Sequence, residues 1–232
     1  MRLPYTSKSV DAPVHYHAIG SVPVMLEPDS ALLLGPAVNV FRPWSGKAPE
    51  GVFHLHLRYG EAVPAELLRS DELRLFWSGV LRGGVPCECY SGAGRRLVRL
   101  PGRAWGRLDL QQRMLEVVCT PGQEDCLYDG CLVPLLCELL ASRGHFVIHA
   151  ASLAFGRQNE SPGVLVAGPS GTGKTTTALA LTHAGMVLRA DDTSFVESAG
   201  QDGADVRIWG WRTPCKVHEN TSRILPWLQS CP

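Results

Sequence analysis

The run Gly168-Pro169-Ser170-Gly171-Thr172-Gly173-Lys174-Thr175 has the spacing G-x-x-x-x-G-K-[ST], an arrangement that wraps a phosphate chain. Glycines at 168, 171 and 173 let the backbone curl until successive N–H groups point inward, and a helix starting just beyond adds the positive end of its dipole. In such a cradle Lys174 bridges phosphate oxygens and the Thr175 hydroxyl is a ligand for Mg²⁺. Lysine is scarce, four residues against 18 arginines, so a lysine at the motif's fixed position carries weight. Asp191-Asp192 follow within twenty residues. Beside phosphates, one carboxylate of such a pair ligates Mg²⁺ and the other accepts the proton of an attacking hydroxyl; a capping or solvated turn is the competing account. His149 lies in an apolar stretch ahead of the motif, and on its own reads as a hydrogen-bonded core histidine.

The elements that must position these groups follow from periodicity. Residues 163–167 read as a short apolar strand, 168–173 as a loop, 174–184 as a helix ended by Gly185, and 186–190 as a strand running into the aspartate pair. Strand, loop, helix, strand is the grammar of an α/β nucleotide-binding unit, in which the carboxyl ends of strands face the ligand. Upstream, residues 146–155 read as one strand and 156–162 as a polar turn. Residues 124–143 read as a helix, because Leu127, Cys131, Leu135 and Leu139 recur at helical spacing beside Leu132, Leu136 and Leu140, with Gly144 as its C-terminal cap.

Residues 1 to about 120 carry short apolar or alternating stretches broken by Gly and Pro, at 14–18, 37–41, 51–57, 73–77, 85–90, 97–100 and 114–119, and are expected to form strands. His15/His17 and His54/His56 are each two apart, so each pair shares one strand face. No carboxylate or cysteine stands at a fixed offset from them, and a solvent-facing role is expected rather than a metal site. Trp209 and Trp211 read as core residues, with a substrate groove shared with Arg212 as the alternative.

Composition removes several function classes. The chain is 45% hydrophobic and 19% charged, with 22 basic and 22 acidic residues, so no positive field draws it to nucleic acid or acidic lipid. No apolar run approaches the roughly 18 to 20 residues that cross a bilayer, and the first residues lack a secretory pattern, so a cytoplasmic location is expected. The eight cysteines are expected as reduced thiols; neither Cys87-x-Cys89 nor Cys126, Cys131 and Cys137 fits a zinc spacing.

The segment 146–192 resembles the kinase domain of bacterial HPr kinase/phosphorylase and the wider group of HPr-kinase-related proteins, some of which act in peptide natural-product pathways. The residues that carry the resemblance are Ile148-His149-Ala150-Ala151, the loop 168–176, and Gly185-x-x-Leu188-x-Ala190-Asp191-Asp192. The loop is also similar to that of ATP-type phosphoenolpyruvate carboxykinase, a much longer enzyme. The resemblance implies an α/β fold, with a P-loop, phosphoenolpyruvate-carboxykinase-like and HPr-kinase-like domain in residues 123–232 preceded by a β-rich unit in residues 1–122. It implies ATP and Mg²⁺ as cofactors, bound by Gly168, Pro169, Ser170, Gly171, Thr172, Gly173, Lys174, Thr175 and Thr176, with Thr175 and Asp191 on the metal. Asp192 is implied as the proton acceptor, with His149, Lys174 and Asp191 completing the catalytic set. The implied acceptor is a serine hydroxyl on a small protein or peptide. Where the family has a Glu-x-Arg-Gly stretch this chain has Arg207-Ile208-Trp209-Gly210, without the acid, and the family continues past the position of Pro232 to a further arginine. A non-catalytic ATP-binding module and a P-loop NTPase are the alternative readings, and homo-oligomerisation is left open.

Overall fold

The computed structural model describes residues 16–33, 40–44, 47, 49–61, 63–68, 72–81, 83–156, 161–199, 205–211, 215 and 217–230. The first nine strands are β1 (Tyr16–Ile19), β2 (Val22–Pro28), β3 (Arg42–Pro43), β4 (Phe53–Tyr59), β5 (Arg74–Leu81), β6 (Val85–Gly92), β7 (Arg95–Leu100), β8 (Ala104–Asp109) and β9 (Met114–Cys119). They make one sheet in the order β3-β1-β2-β4-β9-β8-β7-β6-β5. Strand β4 shows why: Phe53, Leu55 and Leu57 are buried while His54 and Arg58 face out, the period of two that half-buried strands require. It runs parallel to both β2 and β9, whereas β5 to β9 form an antiparallel meander. A single helical turn, α1 (Ala65–Leu68), sits between β4 and β5.

The expected strands at 51–57, 73–77, 85–90, 97–100 and 114–119 are present, shifted by a few residues. Those at 14–18 and 37–41 run into Val14, His15 and residues 37–39, which lie outside the described residues. Strands β2 and β8 were not expected, since prolines at 23 and 28 and the glycine at 106 obscure their alternation.

The helix expected at 124–143 forms as α2 (Glu124–Leu127), a π-helical stretch at Tyr128–Leu132 and α3 (Val133–Ala141). Pro134, at the start of α3, has no N–H for the carbonyl four residues back and its ring crowds that carbonyl; the wider turn just upstream relieves the conflict. Leu132, Leu135, Leu136, Leu139 and Leu140 are buried against the nine-stranded sheet, each contributing about 1.5–3 kcal/mol of burial. The approach is close: a β-carbon on Gly106 would stand 2.7 Å from Leu135, and one on Gly130 2.5 Å from Leu100. Gly144 follows with φ 78°, the left-handed stop foreseen.

Beyond Gly144 come β10 (His145–Ile148), β11 (Ala150–Ala154), β12 (Gly163–Ala167), α4 (Lys174–His183), β13 (Val187–Ala190), β14 (Ser194–Ala199), β15 (Asp205–Gly210) and α5 (Glu219–Ile224). They build two three-stranded sheets, β10-β14-β15 and β12-β11-β13. The single strand expected at 146–155 is therefore two strands of different sheets, broken at His149. Of the polar turn expected at 156–162, residues 157–160 lie outside the described residues. Helix α4 packs Ala178 against Ala151 and Leu153 of β11.

These sheets overturn the expected α/β architecture. Of the described residues 45% lie in strands and 23% in helices, so the architecture is mostly β, and its largest layer is a mixed nine-stranded sheet. Every pairing in the two C-terminal sheets is antiparallel, whereas an α/β nucleotide-binding sheet is mostly parallel. The strand, loop, helix, strand order read from residues 163–190 is present locally. The inference failed at pairing, because β11 inserts between β12 and β13 and takes up the hydrogen bonds that a parallel neighbour would have used. Local periodicity gives elements; it does not give partners.

A buried polar junction ties the two halves together. Glu197 of β14 accepts hydrogen bonds from Trp209 Nε1 (3.0 Å) and Arg207 (3.0 Å) on β15 and from Ser21 Oγ (2.8 Å) in the β1–β2 turn. His145 Nε2 lies 2.6 Å from the same carboxylate and 2.9 Å from Ser21 Oγ. Burial alone would raise the Glu197 carboxyl, but the bonds from Ser21, Trp209 and Arg207 and the nearby His145 outweigh it and hold the group below its ordinary value. Trp211 is buried, its indole N–H donating to Tyr128 Oη, and Trp209 packs against the core, as expected; Arg212 lies outside the described residues. Among the described residues no helix is long and apolar enough to cross a membrane.

Candidate active site

The register of the β12-β11-β13 sheet decides what meets at its edge. Ala167, the last residue of β12, stands opposite Ala150, the first of β11, and Ala190, the last of β13, stands opposite Ser152. The glycine-rich loop leaving β12, His149 entering β11 and the aspartate pair leaving β13 therefore all emerge at one end of one sheet. Two strand spacings, roughly 10 Å, separate the outer two.

The loop 168–173 has the conformation its glycines permit. Gly171 and Gly173 take φ 81° and 93°, and a β-carbon at either would meet nothing within 4 Å. The demand for glycine there is conformational rather than spatial, since a left-handed backbone costs other residues roughly 1–2 kcal/mol. Thr172 Oγ1 donates to the Pro169 carbonyl at 2.8 Å, closing the curl. Gly173 immediately precedes α4, so the loop opens onto a helix N-terminus, while Pro169, Ser170, Gly171 and Thr172 are exposed and Gly168 half-buried.

Lys174, the first residue of α4, is 9% exposed. Its ammonium donates to the carbonyls of Gly168 (3.0 Å) and Pro169 (3.1 Å). An ammonium has three donors, so two brace the loop and the third is left for an anion. Thr175 and Thr176 are half-buried in the first turn of α4, and Thr176 Oγ1 lies 3.1 Å from Thr221 Oγ1, clipping α4 to α5.

The two aspartates have opposite environments. Asp192 is exposed, with Oδ1 3.2 Å from His149 Nδ1, and both side chains are more than half exposed. The reading of His149 as a core residue, made from its apolar neighbours, fails because the residue sits at the break between two strands. The resemblance implied His149 and Asp192 as members of one catalytic set, and the structure puts their side chains side by side. Asp191 is 6% exposed, and its Oδ1 has no hydrogen-bond partner among the described residues. Burial, the charge of Asp191 and a hydrogen bond to it push the Cys215 thiol up to about 12. A buried, unpaired carboxylate oxygen is costly unless a cation or donor meets it. Asp191 and Thr175 each carry oxygen, the ligand type that Mg²⁺ prefers.

No family model and no curated protein matches this chain. What can be said of its chemistry therefore comes from the site itself: a glycine loop and Lys174 suited to phosphate, a buried acid suited to a divalent cation, and an exposed, histidine-braced acid suited to accepting a proton. Sequence reasoning missed Cys215 as the neighbour of Asp191 and Glu27 as the partner of His54 and His56. Neither lies at a fixed offset from its partner, and only the folded chain brings them together. The seven cysteines among the described residues are free thiols; Cys231 lies outside them, as do His15 and Lys216.

Proposed function

We propose that this chain is an ATP- and Mg²⁺-dependent kinase that phosphorylates a serine hydroxyl on a small protein or peptide. The observation that carries the reading is the convergence of the Lys174 loop, buried Asp191 and the His149–Asp192 pair at one end of a three-stranded sheet. Bound together, ATP supplies the phosphoryl group and Mg²⁺ offsets its negative charge. The loop N–H groups and Lys174 hold phosphate oxygens, and Thr175 and Asp191 offer oxygen ligands to the cation. Asp192, steadied by His149, accepts the proton of the serine hydroxyl as that oxygen bonds to phosphorus and ADP departs. The balanced net charge and the resemblance to HPr-kinase-related proteins fit a protein or peptide acceptor better than nucleic acid, and the reading is consistent with work in the cytoplasm.

The test is intact-mass spectrometry of serine-bearing candidates, beginning with small proteins and peptides encoded beside this chain, incubated with ATP and Mg²⁺. A phosphate added by the wild type and not by Asp192→Asn or Lys174→Ala supports the kinase. ATP binding without transfer to any acceptor replaces it with a binding module, and ADP release without an acceptor replaces it with an NTPase.

A further inference from the structure

On the outer face of the nine-stranded sheet, far in sequence from the glycine loop, the parallel pairing of β2 and β4 sets Glu27 opposite His56. His54, two residues back, projects from the same face, and its ring stacks toward that of His56 with centroids 6.3 Å apart and planes 18° from parallel. Glu27 Oε2 lies 2.9 Å from His56 Nδ1 and Glu27 Oε1 3.9 Å from His54 Nδ1. One ligand atom from each of the three residues falls within 4.8 Å of the other two. We propose that Glu27, His54 and His56 bind one divalent transition-metal ion of the zinc type, at a site separate from the glycine loop.

The distances suit such an ion. Metal–nitrogen and metal–oxygen bonds near 2.0–2.2 Å put the ligands of a tetrahedral centre about 3.3 Å apart, and the two Glu27 contacts lie on either side of that value. Small side-chain rotations bring all three ligands to a common centre without moving the strands. Two imidazoles and one carboxylate select a borderline ion over Mg²⁺, which prefers oxygen alone. The fourth position faces solvent, since Glu27 and His54 are each more than 40% exposed, and a water can complete it.

The neighbours of His56 Nδ1 leave room for an ion to take its lone pair. His56 Nδ1 has Glu27, an acceptor, on one side and Arg58 Nη2, a donor, 3.4 Å away on the other. With a proton, that nitrogen serves Glu27 and opposes Arg58; without one, the reverse holds. A cation takes the lone pair and the carboxylate together. Arg58 has a second acid to turn to, its Nε standing 3.9 Å from Glu116. A solvated His–Glu pair, which contributes at most about 1 kcal/mol, is the rival account.

The experiment is a Co²⁺ titration of the reduced, chelator-stripped full chain in the presence of excess Mg²⁺, read by visible absorption and by metal counting after dialysis. The proposal expects one Co²⁺ per chain with no thiolate-to-cobalt band in the near ultraviolet, and loss of that equivalent in a His54→Ala/His56→Ala double variant. Zn²⁺ should displace the Co²⁺, and Mg²⁺ should not. Arg58→Ala keeps all three ligands and should bind at least as tightly as wild type, which also shows that a change on this face leaves the sheet folded. A wild type that binds no stoichiometric Co²⁺, a double variant that binds as much, a thiolate band accounting for the bound ion, or loss of binding in Arg58→Ala would each overturn the assignment.

Discussion

Removing the Glu197 carboxylate should cost more stability than any other single polar change at the junction of the two halves. Alanine at 197 would leave the Trp209 indole N–H, the Arg207 guanidinium and the Ser21 hydroxyl without their acceptor, and His145 without the carboxylate 2.6 Å from its Nε2. A hydrogen-bonding group left unpaired costs about 1–3 kcal/mol, and losing several partners at once is a large share of the roughly 5–15 kcal/mol that holds a typical domain. Glu197→Gln keeps one carbonyl oxygen and an amide that Ser21 can meet by turning its hydroxyl, so its loss should be about 1–2 kcal/mol. The two variants also separate charge from shape through pH. The folded-state pKa of Glu197 is lowered, so its stabilisation is fully present above the unfolded value near 4.3 and disappears as pH falls through the folded value. Urea denaturation of wild type and both variants at pH 7, and again in steps down to about pH 3 where the folded state permits, gives the comparison. The gap between wild type and Glu197→Gln should shrink on acidification, because a protonated carboxyl resembles the amide. An alanine variant within about 1 kcal/mol of wild type at pH 7, or a glutamine gap that does not narrow with acid, would refute the account of the junction as a charge-dependent staple.

Further outcomes follow from the proposed kinase and from the same geometry. Asp192→Asn should lower phosphoryl transfer by roughly 10²–10⁴-fold while leaving nucleotide affinity in calorimetry near wild type, and His149→Ala should cut turnover less, since it steadies Asp192 rather than taking the proton. Lys174→Ala should weaken nucleotide binding itself, because the ammonium braces the loop carbonyls and, in the proposed kinase, also meets phosphate; unchanged affinity would remove it from the site. Gly106→Ala should destabilise by about 1–3 kcal/mol in chemical denaturation, since its β-carbon must displace Leu135 at 2.7 Å and meets Val117 at 3.3 Å. With its thiol pushed up to about 12, Cys215 should be ionised in only about one molecule in ten thousand at pH 8; alkylation mapped by peptide mass should be slow there until the protein is denatured, and rapid labelling of the native chain would contradict its contact with Asp191.

The limit of sequence reading in this chain is the limit of what neighbours along the backbone know about each other. The glycine loop was legible because the conformation belongs to the residues themselves: φ above zero at 171 and 173, then a helix that begins at Lys174. The helix at 124–141 was legible because leucines at helical spacing need one apolar surface, whichever sheet supplies it. What could not be read was pairing. Whether β12 lies beside β13 or is separated from it by β11 depends on the break at His149, and an apolar run through 146–155 gives no sign that its two halves belong to different sheets. The same gap hid the Glu27, His54 and His56 cluster, where 28 residues of chain lie between Glu27 and His56, which a parallel register sets side by side, and the Ser21, His145 and Glu197 junction, whose members come from three distant segments. The error therefore had a direction. A local unit of strand, loop, helix and strand was extended to a parallel α/β layer because that is its commonest setting, and the extension failed where antiparallel pairing brings the same carboxyl ends to the same edge. What positions His149, Lys174, Asp191 and Asp192 is that shared edge, and two antiparallel neighbours of β11 deliver it as well as a parallel sheet would.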